Sequence, residues 1–208
     1  MLEVSWVLFV VASLLLIATP GQDMLLVMSR SLSQGAAAGV VTAAGVSTGL
    51  VGHTALATLG LGAVVRTSEW LFVALKVVGA LYLIYLAAGL LMTRRAELAL
   101  GSASVRSLPR LFLDGAFSNL SNPKIAVFYF AFMPQFVLPG AARPTLAIFM
   151  LGLLFAGLTF LIKGPVGLFA GLLSGWMRSR PRVLVWLYRS SGAVLLGLGV
   201  KLALERRP

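Results

Sequence analysis

The chain has 208 residues, of which 59% are hydrophobic and only 11% are charged, whereas soluble domains average about 25% charged residues. This composition indicates a membrane protein, and the net charge of +11 lacks the solvated basic face with aromatics that nucleic-acid binding needs. The absence of cysteine excludes disulfides, thiolate metal sites and thiol redox chemistry. A single histidine cannot build a metal site alone, so we expect no metal and no cofactor.

Six apolar runs follow one another along the chain, and each is long enough to cross about 30 Å of hydrocarbon as a helix. They cover residues 4–28, 36–65, 70–92, 111–138, 146–173 and 183–204. Together they account for almost the whole chain and leave no soluble domain. We therefore predict an all-α membrane protein with six transmembrane helices in a single domain over residues 1–208.

Two of these runs are interrupted by polar residues and by a proline, which removes a backbone donor and breaks helical hydrogen bonding. The interrupting segments are Thr19-Pro20-Gly21-Gln22-Asp23 in the first run and Asn119-Leu120-Ser121-Asn122-Pro123-Lys124 in the fourth. Such residues are tolerated at membrane depth when they face a cavity or one another. Broken helices in corresponding positions of two halves are typical of transporters built from inverted repeats.

Three correspondences between the two parts of the chain support an internal repeat. Pro20 matches Pro123, the second and fifth runs both carry spaced glycines, and the third and sixth runs carry a cation before Gly-Ala, at Lys76 and Arg189. Because each half holds three spans, the halves must be inverted relative to the membrane. We predict one repeat over about residues 1–92, a cytoplasmic linker over about 93–110 and a second repeat over about 111–208.

The loops between the runs differ in arginine content, and the richer side of a membrane protein is usually cytoplasmic. The loops after the first, third and fifth runs are richer than those on the other side, which predicts both termini outside. The basic C-terminal tail with Arg206 and Arg207 favours a cytoplasmic C-terminus instead. A count of five spans would also invert part of the predicted topology.

Glycines in and before the second run lie at a spacing that lets another helix approach closely. They are Gly35, Gly39, Gly45 and Gly49. This pattern fits packing within the bundle and also fits contact in a homodimer, so a possible homodimer stays open.

The two breaks carry complementary groups for a zwitterion. The helix that resumes after Pro20 would present unpaired N–H groups and a partial positive charge to a carboxylate, and carbonyls freed by the prolines can accept from an ammonium group. Asp23 can also pair with an ammonium group, whereas Lys76 or Lys124 can meet a carboxylate. The candidate substrate-binding residues are Thr19, Pro20, Gly21, Asp23, Lys76, Asn119, Asn122, Pro123 and Lys124.

Asp23 has two interpretations at the sequence level. As a titrating group inside the membrane it is a candidate for proton coupling. Alternatively, it pairs internally with Lys76, Lys124 or Arg189. Lys163 and Arg189 are expected to neutralise buried acids or to extend towards the membrane surface.

Asp114 and His53 are further candidates for proton coupling. An ionisable acid within a membrane span is rare and often functional, and histidine titrates near neutral pH. Their structural alternatives are an ion pair near the end of the span for Asp114 and hydrogen-bonded packing for His53. The spans hold more cations than acids, which favours a substrate with a carboxylate over a bare metal cation.

The residues at the breaks resemble the lysine-exporter (LysE/RhtB-type) family. The resemblance rests on four segments: the Thr-Pro-Gly segment that begins at Thr19, residues 76–83, residues 112–124, which end in Asn-Pro-Lys, and residues 134–137. It implies an inner-membrane amino-acid exporter driven by the proton gradient. Gln22 departs from the family pattern, which usually has a second proline there.

These observations predict a secondary active exporter of amino acids or close derivatives that works by alternating access. Its partners would be the amino-acid substrate, protons and the lipid bilayer, with no nucleic acid. The alternatives are an exporter of a cation or metal with related architecture and a structural membrane subunit that transports nothing. An intramembrane enzyme would need a serine–histidine pair built on His53, and we predict no enzymatic activity.

Overall fold

The computed structural model describes residues 3–67, 69–94, 104–138 and 140–204, with some side chains inside the helices left out. Within these ranges the chain is helical, apart from loops and one isolated backbone bridge between Val4 and Val137. The all-α prediction is confirmed. The side chain of Lys76, one of the predicted site residues, lies outside the described set.

The helices follow the apolar runs of the sequence. In chain order they are α1 Trp6–Ala18, α2 Gln22–Gln34, α3 Ala36–Thr67, α4 Glu69–Leu91, α5 Leu108–Leu120, α6 Pro123–Val127, α7 Pro144–Leu168, α8 Ala170–Arg178 and α9 Pro181–Leu204. A π-helical turn at Phe128–Phe132 and a 3-10 turn at Met133–Phe136 continue α6.

Both predicted interruptions are present. The first separates α1 from α2, whose axes are bent by 51°, and Pro20 lies between them. The second separates α5 from α6, where the side chain of Asn122 accepts from the backbone N–H of Lys124 at 3.1 Å and caps the new helix. Pro123 suits the first position of α6, because an N–H there would have no helical partner.

Two described helices are long and apolar enough to cross a membrane, one at Ala36–Gly60 within α3 and the other α7 at Pro144–Leu168. The bent pair α1–α2 is a third if it forms one span, and Val77–Leu91 of α4 is apolar but shorter. By length and composition, these helices are those of a membrane protein. The count of six spans stays a prediction.

Glycines let α3 approach its neighbours very closely. A Cβ on Gly39 would lie 2.9 Å from the Cα of Gly167 in α7, and Gly45 is packed against the backbone carbonyl of Phe112 in α5. Gly39, Gly45 and Gly49 therefore serve packing inside the bundle, whereas Gly35 ends α2 with a φ of 92°. The possible homodimer stays a prediction.

An aromatic cluster lies beside the second break. Phe9 of α1, Phe128 and Phe136 from the turns after α6, and Phe155 of α7 are buried and have ring centroids 4.7 to 6.5 Å apart where they pair. These contacts hold the segment after α6 against α1 and α7. They position the two broken helices relative to each other.

Candidate functional site

A cavity of about 80 Å³ lies where the two helix breaks meet α7. Its polar lining comes from Thr19, Gln22, Asp23, Asn119, Asn122, Lys124, Thr159 and Lys163, together with Gly21. Its apolar lining comes from Leu16, Ile17, Met24, Leu50, Ile125 and Phe155. The structure thus brings most of the predicted substrate-binding residues to one place, whereas Pro20 and Pro123 shape the breaks without lining the cavity.

Asp23 forms a buried ion pair with Lys163. Its Oδ2 accepts from the Nζ of Lys163 at 3.2 Å and from the Nδ2 of Asn119 at 2.9 Å. Asp23 and Lys163 are 3% and 6% exposed. The internal ion pair expected for Asp23 exists, but its partner is Lys163 and not Lys124 or Arg189, because α7 places Lys163 against the first break.

Lys124 lines the same cavity from the start of α6. Its Nζ lies 3.8 Å from the position that a Cβ on Gly21 would occupy, so the lysine reaches across to the first break. Within the described part of the chain, Lys124 has no acidic partner. It is therefore the cation at this site that remains available to a carboxylate.

His53 does not line the cavity but supports it from α3. Its Nε2 lies 3.2 Å from the backbone oxygen of Asn119, and since a carbonyl only accepts, Nε2 carries the proton. The ring stacks on Tyr129 with centroids 5.4 Å apart. Asn119 lies four residues before Pro123, so its carbonyl is one of those that the prolines were expected to free. This carbonyl also accepts from the N–H of Asn122 at 2.9 Å. This carbonyl is thus engaged within the protein.

Asp114 lies outside the cavity, in a cluster of arginines. Its carboxylate contacts Arg106 at 2.9 Å, Arg30 at 3.3 Å and Arg110 at 3.5 Å. The side chain of Gln34 exchanges hydrogen bonds of 2.7 and 3.0 Å with the backbone of Arg106. This geometry is the ion-paired alternative foreseen for Asp114, and it ties the end of α2 to the linker and the start of α5. A role in proton coupling stays a prediction.

One segment of α3 has the spacing of a serine nucleophile, Gly45-Val46-Ser47-Thr48-Gly49. A nucleophilic serine of this type sits on a sharp turn between a strand and a helix. Here the segment lies inside continuous helix, and its two glycines are packed against α5. The spacing reflects helix packing.

Two polar residues of the cavity were given no role in the sequence analysis. Gln22 was considered only as a departure from the family pattern, and its Nε2 donates to the hydroxyl of Ser118 at 3.1 Å, which links α2 to α5. Thr159 lies four residues before Lys163 and therefore on the same face of α7. A polar residue four positions before a lysine in a membrane helix was the sequence signal that could have identified Thr159.

A charged cavity between broken helices of a membrane protein is characteristic of membrane transporters. The chain matches the family described as LysE type translocator over residues 14–206 and belongs to that family. The family assigned from the Thr-Pro-Gly and Asn-Pro-Lys segments is thus confirmed. As a member of a family of translocators, the protein is not an enzyme.

Several curated proteins are similar over nearly their whole length. The homoserine/homoserine lactone efflux protein of Salmonella typhimurium is 32% identical over 204 residues, which cover 97% of each chain. A leucine efflux protein of Klebsiella pneumoniae is 25% identical over 202 residues, covering 96% of this chain and 94% of the relative. A membrane protein of Pseudomonas aeruginosa is 32% identical over 201 residues, covering 94% and 93%. No solved structure matches.

Proposed function

We propose that this protein exports amino acids or close derivatives across the cytoplasmic (inner) membrane. The observation that carries the proposal is the cavity in which Asp23, Lys124 and Lys163 meet between two broken helices. It offers a carboxylate to an ammonium group, and to a carboxylate it offers Lys124, which has no acidic partner among the described residues; together these match a zwitterion. Relatives named for homoserine and leucine efflux support an amino acid as the substrate.

The proposed architecture is six spans in two inverted repeats, with the first and fourth spans broken and with alternating access between the halves. In support, α3 packs on α7 and α4 packs on α9, which are corresponding elements of the two halves. The linker over about residues 93–110 would be cytoplasmic and both termini outside. Substrate and protons would then enter the same cavity from opposite sides.

Asp23 is our proposed coupling group. Protonation of its carboxylate removes the charge that attracts an ammonium group, so a proton arriving from outside favours release of the substrate there. Return of the proton to the cytoplasm restores the charge for the next substrate. Asp114 and His53 are the secondary candidates, and the structure places both outside the cavity lining.

The first test is efflux from proteoliposomes preloaded with a panel of labelled amino acids, with and without a proton gradient. We expect gradient-driven efflux of one or a few amino acids by the wild type. Lys124→Met should lower this efflux by about tenfold or more, because a charged hydrogen bond to the carboxylate is lost. Asp23→Asn should lose the response to the gradient.

Lys201→Met is the matched control, because Lys201 is an exposed lysine in the last turn of α9 and its loss should leave efflux unchanged. Each variant is normalised to the amount of inserted protein. The proposal fails if no amino acid moves through inserted wild-type protein. Efflux of a metal or other cation in its place would support the alternative exporter.

A further inference from the structure

Helix α7 contributes two polar side chains to the cavity, one helical turn apart. Lys163 pairs with Asp23, and Thr159 is 1% exposed. The hydroxyl Oγ1 of Thr159 has no hydrogen-bond partner among the described residues, and the same holds for Oδ1 of Asp23. Buried polar atoms are normally partnered. Oδ1 of Asn119, another lining residue, is also without a partner among the described residues, and three such acceptors at one cavity point to a donor supplied by the ligand.

The charges around the cavity restrict what that ligand can be. The lining, as described, includes a single carboxylate, that of Asp23, and two ammonium groups, those of Lys124 and Lys163. Lys163 already occupies one oxygen of Asp23. One carboxylate oxygen, the hydroxyl of Thr159 and Oδ1 of Asn119 are then left for an incoming cation, and three acceptors are enough for one ammonium group with its three N–H donors.

The rest of the lining is apolar. Ile17, Leu50 and Phe155 face the cavity and provide contacts for a hydrocarbon or weakly polar side chain. A second ammonium group on the ligand would meet either this apolar surface or the positive charges of the lysines. Placing an unpaired cation at membrane depth is costly even on insertion scales.

We propose that Thr159 and Lys163 determine specificity, and that the exported amino acid has a side chain without positive charge. The α-ammonium group binds between Oδ1 of Asp23 and Oγ1 of Thr159, and the α-carboxylate binds Lys124. Lys163 is the counter-ion of Asp23 and occupies the carboxylate oxygen that a cationic side chain of the substrate would need. This inference rests on the proposed function and names its substrate class.

Norleucine and lysine form a matched pair of substrates, because they share an unbranched four-carbon side chain and lysine adds a terminal ammonium group. In proteoliposomes, wild-type protein should export norleucine at least about tenfold faster than lysine. Excess lysine should also fail to inhibit norleucine efflux, a measurement that needs no variant. Equal rates for the two substrates would overturn the inference and leave amino-acid export standing.

Variants at position 163 test the counter-ion. Lys163→Met frees Asp23 for the side chain of lysine, so the ratio of lysine to norleucine efflux should rise by about tenfold. Lys163→Arg keeps the charge and should keep the wild-type preference. If Lys163→Met lowers both rates equally, Lys163 has only a structural role and the inference is wrong.

Variants at position 159 test the hydroxyl. Thr159→Val has nearly the same shape without the hydroxyl and should raise the KM for norleucine about tenfold, whereas Thr159→Ser should keep the wild-type KM. An unchanged KM in Thr159→Val would contradict the proposed ammonium site. If no amino acid is exported by inserted wild-type protein, the proposed function itself fails.

Discussion

At the residue scale, the site is organised by the buried pair of Asp23 and Lys163. An isolated charge at this depth is costly, so each member of the pair depends on the other. Asn119 donates a second hydrogen bond to the same carboxylate oxygen, and its backbone is held by His53. Through these contacts the two helix breaks and α7 share one polar network.

The pair has a measurable signature in stability. Asp23→Asn leaves the lysine unpaired and Lys163→Met leaves the acid unpaired, so each single change should cost about 3 to 5 kcal/mol of the free energy of unfolding. The double variant removes both charges and should recover much of that loss. Thermal unfolding in detergent measures the three variants, with Lys201→Met as the control. If the loss of stability in the double variant equals the sum of the losses in the two single variants, the two residues do not form a coupled pair.

At the scale of the elements, α3 is the helix against which the others are placed. It packs on α5, on α7 and on α2, and the closest approaches are at positions without a side chain. Gly115 of α5 lies against the backbone carbonyl of Thr42, and Gly49 leaves room for Asn119. The position of Asn119 beside Asp23 thus depends on the small residues of α3.

Glycine positions on α3 differ in how much space surrounds them, which supplies an internal control. Gly45→Ala would drive a methyl group into the backbone of Phe112 and should cost about 1 to 3 kcal/mol of stability through overpacking. At Gly60 the added carbon would meet no described atom within 4 Å beyond the adjoining backbone of α3, so Gly60→Ala should not lower stability. Unfolding temperatures of both variants in detergent check this, and equal losses would contradict the packing seen at Gly45.

At the scale of the whole molecule, loops assemble at two ends of the bundle. At one end the backbone of Glu3 and Ser5 bonds to that of Leu138 and Phe136 at 2.9 Å. At the other end Arg30 meets Asp114. The proposed six-span topology predicts this grouping, with the N-terminus and the loop before α7 on one side of the membrane and the end of α2 and the linker on the other.

The absence of native cysteine makes this topology directly testable. Arg143→Cys lies at the exposed end before α7, and Ser33→Cys lies at the exposed end of α2. With both termini outside, a membrane-impermeant thiol reagent should label Arg143→Cys in spheroplasts and should label Ser33→Cys only after permeabilisation. The cysteine-free wild type is the control. The reverse pattern would invert the orientation, and labelling of both from outside would refute a six-span bundle.

The sequence by itself determined the class of protein, the places where helices break and the family. These features are local, because apolar length predicts a membrane helix and a proline with amides and a lysine interrupts one. Asp23, Asn119 and Lys124 were accordingly predicted as site residues, and the cavity contains all three.

Only the tertiary structure decided the partners within the site. Lys163 lies 140 positions from Asp23 in the chain, and nothing in its local pattern distinguishes it from the other membrane lysines. Thr159 was missed although its spacing from Lys163 was a local signal, whereas the contact of Asp114 with Arg30, 84 positions away in the chain, could not be read from the sequence. The partners of a buried charged side chain depend on which helix faces lie against each other. Close packing at glycines determines which faces those are.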